Sequence, residues 1–230
     1  MTIKAIAIVP ARGGSKRIPR KNIKLFSGKP IISYSITLLI ESQIFDEIHV
    51  STDDEEIAEV AQKYGASVPF MRPEHLAGDT VPTVPVIADH VRRLNLEDEA
   101  VVCCMYATAP LVTSRDLIDG FQLLKASPFD DYVLAVSRYG YPIQRALSKV
   151  GNIFEMIDKS NLEKFSQQLE ARFHDSGTFY FAYAKTWLRE TPMLQKSKGI
   201  EIPSWRVQDI DTLEDWKRAQ IIYEMIKSDL

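Results

Sequence analysis

The sequence has few of the features that mark secreted, membrane-spanning or zinc-binding proteins. Of its 230 residues only Cys103 and Cys104 are cysteines, and neighbours on a strand face opposite sides of the sheet, so they are poorly placed for a disulfide. The four histidines lack metal-ligand spacing. Uncharged stretches fall short of the roughly 18 apolar residues of a membrane span, and no signal-peptide cleavage pattern is present. These absences predict a cytoplasmic protein that does not contact a membrane.

Acidic residues are missing from the first 40 positions, which carry eight lysines and arginines. Because the formal net charge of the chain is −3, the remaining residues carry −11. Five of the cations lie within ten residues: Arg12, Lys16, Arg17, Arg20 and Lys21. This local positive charge predicts an anion-binding region. The alternative, a basic surface that binds RNA, is disfavoured by the acidic balance of the whole chain, and we expect no nucleic-acid partner.

The cations lie in a loop between a predicted strand over 3–9 and a predicted helix over 30–40. Residues 9–22 read V-P-A-R-G-G-S-K-R-I-P-R-K-N. Gly13 and Gly14 lack a Cβ and tolerate positive φ, so the backbone can approach a ligand closely there. The patterns G-x-x-x-x-G-K-[ST] and G-x-G-x-x-G are both absent. A glycine loop at the end of a first strand, edged with cations, predicts a polyphosphate site.

Strands and helices then alternate up to residue 136. Further strands are predicted over 46–51, 67–70, 100–105 and 132–136. Apolar residues at helical spacing predict intervening helices, the first of which follows a capping box formed by Thr52 and Glu55. This order predicts a three-layer α/β/α domain with a mostly parallel sheet. Ligands bind beyond the carboxyl ends of such strands, so the loops 10–22, 71–82 and 106–113 should converge on one crevice.

The alternation stops at residue 138. Residues 138–177 include a Gly-Asn turn and predict an inserted hairpin segment within a single domain spanning 1–230. This insertion is either a surface excursion or a lid or dimer arm. Strands are predicted again over 178–183 and 205–210, followed by a carboxyl-terminal helix whose inner face includes Trp216 and Ala219.

Two carboxylates, Asp209 and Asp211, stand at the end of the predicted strand 205–210. In extended backbone, side chains two residues apart point the same way, so both carboxylates can face one divalent cation. Mg²⁺ prefers such oxygen ligands. Asp211 also lies three residues before Glu214, where it would serve as a helix N-cap. The residues alone leave both interpretations open.

The run at 9–22, followed by G-K-P-I-I at 28–32, resembles the opening signature of the cytidylyltransferases that activate nonulosonic acids, the sialic-acid-like nine-carbon sugar acids. The resemblance spans nearly the full length. It implies a Rossmann-like nucleotidyltransferase fold, CTP and a nonulosonic acid as substrates, Mg²⁺ as cofactor, and a homodimer in which the insertion forms much of the interface and reaches the partner's active site.

The same resemblance assigns roles to residues. Arg12, Lys21 and Asp211 would be catalytic, and Asp209 and Asp211 would hold the metal. Arg72 and the pair Asp79 and Thr80 match the family's R-P-x-x-L-A-x-D-T stretch near the nucleotide, although Arg72 could instead form a salt bridge at the rim. The implied nucleotide site comprises Ala11, Arg12, Gly13, Gly14, Ser15, Lys16, Lys21, Asn22, Arg72, Asp79 and Thr80.

At two positions the sequence differs from the motifs of the sialic acid synthetases in this family, and these differences bear on which sugar acid is the substrate. Tyr106, in Y-A-T-A-P, replaces the glutamine of a Q-P-T-S-P-type motif, and Gln144 replaces a lysine. With His174 in F-H-D-S-G, these positions resemble the branch that acts on pseudaminic acid, whose product would serve surface or flagellar glycan synthesis. Arg145 is the candidate for gripping the sugar carboxylate.

Alternatives remain open at this stage. Tyr106 could be a packing residue, Gln144 solvated and His174 a turn residue. The substrate could be sialic, legionaminic or deoxy-octulosonic acid, or the chain could be a nucleotide-binding module without turnover.

Overall fold

The computed structural model describes residues 3–127 and 131–228 of the chain. Its main sheet has six strands in the order β10-β6-β9-β5-β1-β4, and β2 with β3 and β7 with β8 form two small antiparallel pairs. The strands are β1 Ala5–Pro10, β2 Leu25–Phe26, β3 Lys29–Pro30, β4 Glu47–Ser51, β5 Val101–Met105, β6 Tyr132–Arg138, β7 Leu147–Val150, β8 Ile153–Met156, β9 Phe173–Tyr183 and β10 Ser197–Glu201.

The six-stranded sheet is mostly parallel, as predicted. Strand β1 pairs in parallel with β4 and β5, and β10 pairs in parallel with β6. Strand β9 lies antiparallel between β5 and β6. The carboxyl ends of β1, β4 and β5 therefore meet at one edge of the sheet, where the predicted loops leave it.

Helices cover both faces of the sheet. They are α1 Ile31–Glu41, α2 Glu55–Lys63, α3 Thr83–Leu94, α4 Ser114–Lys125, α5 Ala184–Leu188 and α6 Leu213–Ser228. Alternate residues of the strands enter two separate apolar cores, so that Cys103 belongs to one core and Cys104 to the other. The prediction that these thiols face opposite sides is confirmed. No helix within the described ranges has both the length and the apolar character needed to cross a bilayer.

A third apolar cluster joins the two ends of the chain. Ile18 from the amino-terminal loop and Phe26 pack with Ile210 and with Trp216 of α6. The rings of Phe26 and Trp216 meet edge to face with centroids 5.5 Å apart. Since these side chains are buried, the hydrophobic effect fixes residues 209–211 beside the loop 10–22.

Three local predictions were wrong. The N-cap of α2 is Asp54, whose carboxylate accepts the Ile57 amide at 3.0 Å, and not Thr52. Of the stretch 67–70 only Ser67 pairs, through one isolated bridge to His49. Residues 205–210 form no strand: they begin within a 3-10 turn, Ser204–Arg206, and the strand that pairs with β6 at this edge of the sheet is β10.

The insertion 138–177 contains the predicted hairpin. Strands β7 and β8 pair around Gly151, whose φ of 60° is the left-handed conformation that glycine adopts readily. Strand β9 begins at Phe173, five residues before the predicted start, and therefore includes His174. The insertion leaves large apolar side chains exposed, among them Tyr141, Val150 and Phe154.

Candidate active site

A cavity of about 470 Å³ opens at the carboxyl edge of the sheet. The three predicted loops all contribute to it, which confirms their convergence. We call this cavity the crevice. It is lined by Pro10, Arg12, Ser15, Lys16, Arg17, Lys21, Asn22, Arg72, Asp79, Val81, Thr83, Val86, Tyr106, Ala107 and Thr108.

The glycine loop is held in place by its neighbours. The Gly13 amide donates to Asp53 at 3.0 Å, and the buried Asn22 side chain donates to the Arg12 carbonyl at 2.9 Å. A Cβ added to Gly13 would lie 2.6 Å from the Asp54 carboxylate, so a larger residue there would displace the Asp54 side chain. Around Gly14 there is open space. Within residues 10–22 a positive φ occurs at Arg20, with φ 55°, and not at Gly13 or Gly14.

Ala11 and Ser15, also predicted to belong to the nucleotide site, lie on either side of the two glycines. Ala11 is buried in the core, and its amide donates to the Ser51 carbonyl at 2.9 Å. The Ser15 amide donates to the Gly13 carbonyl at 3.0 Å, and Ser15 lines the crevice. Ala11 therefore contributes backbone and core packing, whereas Ser15 faces the crevice.

Every cation of the loop is paired with a carboxylate of the chain. Arg12 and Lys16 both contact Asp79, and Arg17 lies 2.7 Å from Asp211. The Lys21 amino group donates to the Ile210 carbonyl at 2.6 Å and lies 3.6 Å from Asp211. The hydrogen bonds from Lys16 and Arg12 lower the pKa of Asp79. The positions where phosphate oxygens are expected are thus filled by carboxylates.

Arg20 points elsewhere. Its guanidinium pairs with Asp54 and Glu56 at the start of α2 and does not line the crevice. The hydrogen bond to Asp54 raises the pKa of Arg20 despite partial burial. Four of the five predicted cations therefore reach the crevice.

The carboxylates Asp209 and Asp211 lie in an irregular segment before α6. The cap of α6 is formed by Thr212 and Asp215: the Asp215 amide donates to Thr212 Oγ1 at 3.2 Å, and Asp215 accepts the Thr212 amide at 2.8 Å. The alternative that Asp211 is the N-cap is therefore wrong. Its side chain instead faces the cations of the loop.

Asp209 has no ion pair within 4 Å among the residues that the structure describes. Burial, and next the charge of Asp211, raise the pKa of Asp209, while Lys21 and Arg17 oppose the shift. A cation between the two carboxylates would relieve this repulsion. The described ranges contain no group of three or more His, Cys, Asp or Glu side chains suited to a metal, but Mg²⁺ is usually held by one or two carboxylates together with substrate phosphates. The pair fits such an ion.

Arg72 is buried and lines the crevice. Its Nε donates to Ser51 Oγ at 3.1 Å, and its guanidinium also donates to the Ser51 carbonyl. No carboxylate of the described residues pairs with it, so the rim salt bridge is not formed. The adjacent loop presents Asp79 to the crevice, whereas Thr80 is exposed and outside the lining.

The four predicted sugar-binding residues separate into two groups. Tyr106 lines the crevice, and its hydroxyl lies 2.7 Å from Thr83 Oγ1. Gln144 donates to the Glu170 carbonyl at 2.8 Å, Arg145 donates to the Lys164 carbonyl, and the His174 ring lies 2.8 Å from the Asp175 carbonyl. These three lie outside the crevice lining. Their role in sugar binding stays a prediction.

Sequence reasoning missed two contributions. It counted Arg17 among the cations without foreseeing its pairing with Asp211, which depends on residues 194 positions apart. It did not assign Thr83 to the site. The rule that ligands bind at the carboxyl edge could have identified Thr83, since α3 begins directly after the loop 71–82.

Comparison with known proteins gives consistent matches. Residues 6–224 match the sequence model of a family described as cytidylyltransferase. The chain is 41% identical over 228 residues, 97% of each chain, to a pseudaminic acid cytidylyltransferase of Campylobacter jejuni subsp. jejuni serotype O:2. It is 30% identical over 235 residues, again 97% of each, to a CMP-N,N'-diacetyllegionaminic acid synthase of Legionella pneumophila.

A solved structure shares the fold. This is a CMP:2-keto-3-deoxy-manno-octonic acid synthetase complexed with CTP, with a TM-score of 0.72 at 15% identity. The match covers 99% of this chain and all of that one. At this identity the likeness supports the fold alone.

Proposed function

The chain belongs to the cytidylyltransferase family, and from this premise we propose that it transfers CMP from CTP to the anomeric hydroxyl of pseudaminic acid. The Campylobacter relatives that carry this activity in their names support the choice of sugar. One geometric observation carries the chemistry. Lys21 of the first loop lies 3.6 Å from Asp211 of the last, which supports a site that the proposed phosphate and metal ligands share.

Arg12, Lys16 and Lys21 bind the triphosphate in this proposal. Their positive charge would offset the charge on the α-phosphate and on the departing pyrophosphate. The Asp79 carboxylate forms ion pairs with Arg12 and Lys16 in the structure, so these pairs must break when the phosphates bind. Binding is therefore an exchange of one anion for another.

Asp209 and Asp211 would hold Mg²⁺. When bound, this ion neutralises charge on the phosphate oxygens. The chain's own contribution is to keep the carboxylates beside Lys21, because the buried Ile210 between them anchors the segment in the third apolar cluster. Arg17 contacts Asp211 at 2.7 Å and would have to share it with the ion.

The reaction is an in-line substitution at phosphorus. The anomeric oxygen of the sugar acid forms a bond to the α-phosphorus and releases its proton to solvent, and the bond from the α-phosphorus to the oxygen bridging to the β-phosphate breaks. Pyrophosphate leaves with that oxygen. Arg12 and Lys21 stabilise the negative charge that it carries away.

A panel of sugar acids tests the proposal. The purified protein is incubated with CTP, Mg²⁺ and pseudaminic, N-acetylneuraminic, legionaminic or deoxy-octulosonic acid. Pyrophosphate release and the mass of the CMP-sugar are then measured. We expect the highest kcat/KM with pseudaminic acid. A higher kcat/KM with another acid would make that acid the substrate in place of pseudaminic acid. No turnover with any of the four acids would refute the proposed cytidylyltransferase activity.

The proposal includes a homodimer built on the insertion 138–177. Many large apolar side chains are exposed on it, and exposed apolar patches mark interaction sites. They include Tyr141, Leu147, Val150, Ile153, Phe154, Ile157, Leu162 and Phe165. A second copy of the chain would cover them. The two buried, unpaired thiols also suit a reducing, cytoplasmic location.

Light scattering tests the dimer. We expect twice the chain mass of 26.1 kDa for the unmodified protein and a monomer for Phe154→Asp. The matched control is Ile221→Asp, which places the same charge at an exposed apolar position on α6. A monomeric unmodified protein would contradict the dimer, and so would a dimer that Ile221→Asp disrupts and Phe154→Asp does not.

A further inference from the structure

Residues 70–73, which lead into the crevice, are held by side chains of α3 and form no regular secondary structure. The centroid of the Phe70 ring lies 4.5 Å from that of His90 and 3.7 Å from Cζ of Arg93. Arg93 also donates from Nη1 to the Met71 carbonyl at 3.1 Å. His90 and Arg93 are three residues apart on a helix and share one face of it, so α3 holds two consecutive residues of this segment.

Arg72, the next residue, is attached separately to the carboxyl end of β4. Its amide donates to the Thr52 carbonyl at 2.7 Å, and its Nε donates to Ser51 Oγ at 3.1 Å. Its Nη2 donates to the Ser51 carbonyl. The position of Arg72 is therefore set by two elements, by β4 directly and by α3 through the two preceding residues.

Arg72 keeps hydrogen-bond donors for a ligand. A guanidinium carries five N–H groups. Nη1 of Arg72 has no hydrogen-bond partner among the residues that the structure describes, and the residue lines the crevice although only 8% of it is exposed. A ligand acceptor therefore meets a cation that is largely desolvated already. Its hydrogen bond weakens when the donor moves out of the range of about 2.7–3.2 Å.

We propose that Arg93 is a positioning residue for nucleotide binding: it holds the two residues before Arg72 and thereby keeps the Arg72 guanidinium in place at the wall of the crevice. This inference rests on the proposed function and on the nucleotide contact that the sequence resemblance implies for Arg72. Arg93 lies outside the crevice lining, so it acts through Arg72 and does not touch the ligand.

The remaining contact of Arg93 is weak. Asp89, one turn earlier on α3, lies 3.7 Å away, and exposed pairs at this spacing contribute little to stability. The Arg93 side chain is 37% exposed, so shortening it creates no buried cavity. The main effect of removing Arg93 is therefore expected in the position of the segment 70–73 and not in the overall fold.

The variant Arg93→Ala tests this role. Binding of CTP must then supply the ordering of Arg72 that Arg93 provides, which corresponds to about one hydrogen bond or cation–π contact. We expect Kd for CTP, from calorimetry with Mg²⁺, and KM for CTP both to rise about fivefold, while KM for the sugar acid changes less than about twofold. Arg92→Ala is the matched control, because Arg92 is the neighbouring residue of α3 and pairs with Glu190 instead; it should alter none of these constants.

The pattern of constants distinguishes positioning from a general loss of stability. A variant that only unfolds more easily would have a lower folded fraction and a lower apparent kcat, with an unchanged KM for CTP. That result in Arg93→Ala would overturn the inference, as would an equal rise in KM for CTP in Arg92→Ala.

A double-mutant cycle tests whether Arg93 acts through Arg72. Arg72→Lys keeps the charge but not the planar set of donors, and it should raise Kd for CTP by itself. In the Arg72→Lys background, Arg93→Ala should raise Kd by less than about twofold further. Fully additive effects would overturn the inference, and so would an Arg72→Lys variant that binds CTP as tightly as the unmodified protein.

Two further outcomes are decisive. If Arg93→Ala or Arg72→Lys does not fold, as judged by circular dichroism, Arg93→Gln or Arg72→Gln takes its place and the same criteria apply. If the unmodified protein does not bind CTP, the proposed function fails. If the unmodified protein binds CTP and Arg93→Ala binds it equally well, only the role of Arg93 is refuted.

Discussion

The ion pair between Arg206 and Asp116 offers a quantitative test of how the carboxylate segment is held. Arg206 ends the 3-10 turn before Asp209, and Asp116 lies in the first turn of α4. Two bonds of 2.7 and 2.9 Å join the guanidinium to the two carboxylate oxygens, and both side chains are at most 13% exposed. The guanidinium also donates to the Leu111 carbonyl at 3.3 Å.

Removing one partner leaves the other charged and largely buried. Breaking such a pair costs about 3–5 kcal/mol, and the small remaining exposure favours the lower end. We expect Arg206→Ala to lower the free energy of unfolding by about 3 kcal/mol and Tm by roughly 6–12 °C for a chain of this size. Asp116→Ala should lower the free energy of unfolding by about 1 kcal/mol more than Arg206→Ala does, because Asp116 also forms the capping box with Thr113.

Thermal and urea unfolding measure these losses. Arg115→Ala is the matched control: Arg115 lies on the same helix in an exposed pair with Asp119, which contributes roughly 0.3–0.5 kcal/mol. The Mg²⁺ concentration for half-maximal turnover should also rise in Arg206→Ala, because the segment carrying Asp209 loses an anchor. A Tm within about 2 °C of the unmodified protein would refute the reasoning.

The pH dependence of the same pair has a defined sign. Burial by itself would raise the pKa of Asp116, but hydrogen bonds from Arg206 and Thr113 outweigh it and hold the pKa below its ordinary value. The stabilisation is therefore present above the pKa of the unfolded chain and is lost as the pH falls through the lower folded value. In Arg206→Ala, the decrease in the free energy of unfolding that comes from protonation of Asp116 at low pH should be smaller.

Three further predictions concern the crevice and the core. Asp211→Asn should abolish turnover while Tm stays within a few degrees, since the cap of α6 is Thr212 and not Asp211; full activity would contradict a metal role. Asp79→Asn should lower KM for CTP a few-fold, because Arg12 and Lys16 lose their internal anion, and an increased KM in steady-state kinetics would contradict the exchange. His90 is buried against His49, and burial lowers the pKa of His90 to about 3. The free energy of unfolding should therefore fall by up to about 1.4 kcal/mol per pH unit as the pH drops from 6.5 toward 5. Urea titrations of His90→Phe should show a weaker dependence of this free energy on pH, and an unchanged dependence would contradict the prediction.

The fold was predictable where the apolar pattern is strong. The buried run of β5 and the helical spacing in α3 and α4 have one interpretation each, and the structure agrees. The edge strand β10 was missed because its sequence, S-K-G-I-E, has a single large apolar residue, Ile200. An edge strand gains its stability from backbone pairing with β6, which leaves little trace in side chains.

The false strand at 205–210 has the opposite cause. Its apolar residues are Trp205, Val207 and Ile210, and Ile210 is buried in the third apolar cluster with Trp216 and Phe26 and not in the sheet. A short run with apolar residues shows that some of its side chains are covered and does not say what covers them. Asp211 nevertheless contacts Arg17 of the first loop, because the cluster that buries Ile210 also contains Ile18.

Contacts between distant loops were beyond sequence reasoning. Nothing local in residues 71–82 indicates that Asp79 would occupy Arg12 and Lys16, since 67 positions separate Asp79 from Arg12. These contacts limit which ligands can bind. A ligand with one negative charge could replace at most one of the two carboxylates, Asp79 and Asp211, that pair with the cations of the crevice.

In the proposed function, a triphosphate accompanied by a divalent cation would replace both sets of contacts at once. Arg12 and Lys16 would exchange Asp79 for phosphate oxygens, and Asp211 would exchange Arg17 for the cation. On this proposal the internal ion pairs would lower the affinity for every anion, and most for small ones, which regain fewer contacts than they displace. Selectivity for a metal-bound polyphosphate would then follow from carboxylates that compete with it, as much as from the cations that bind it.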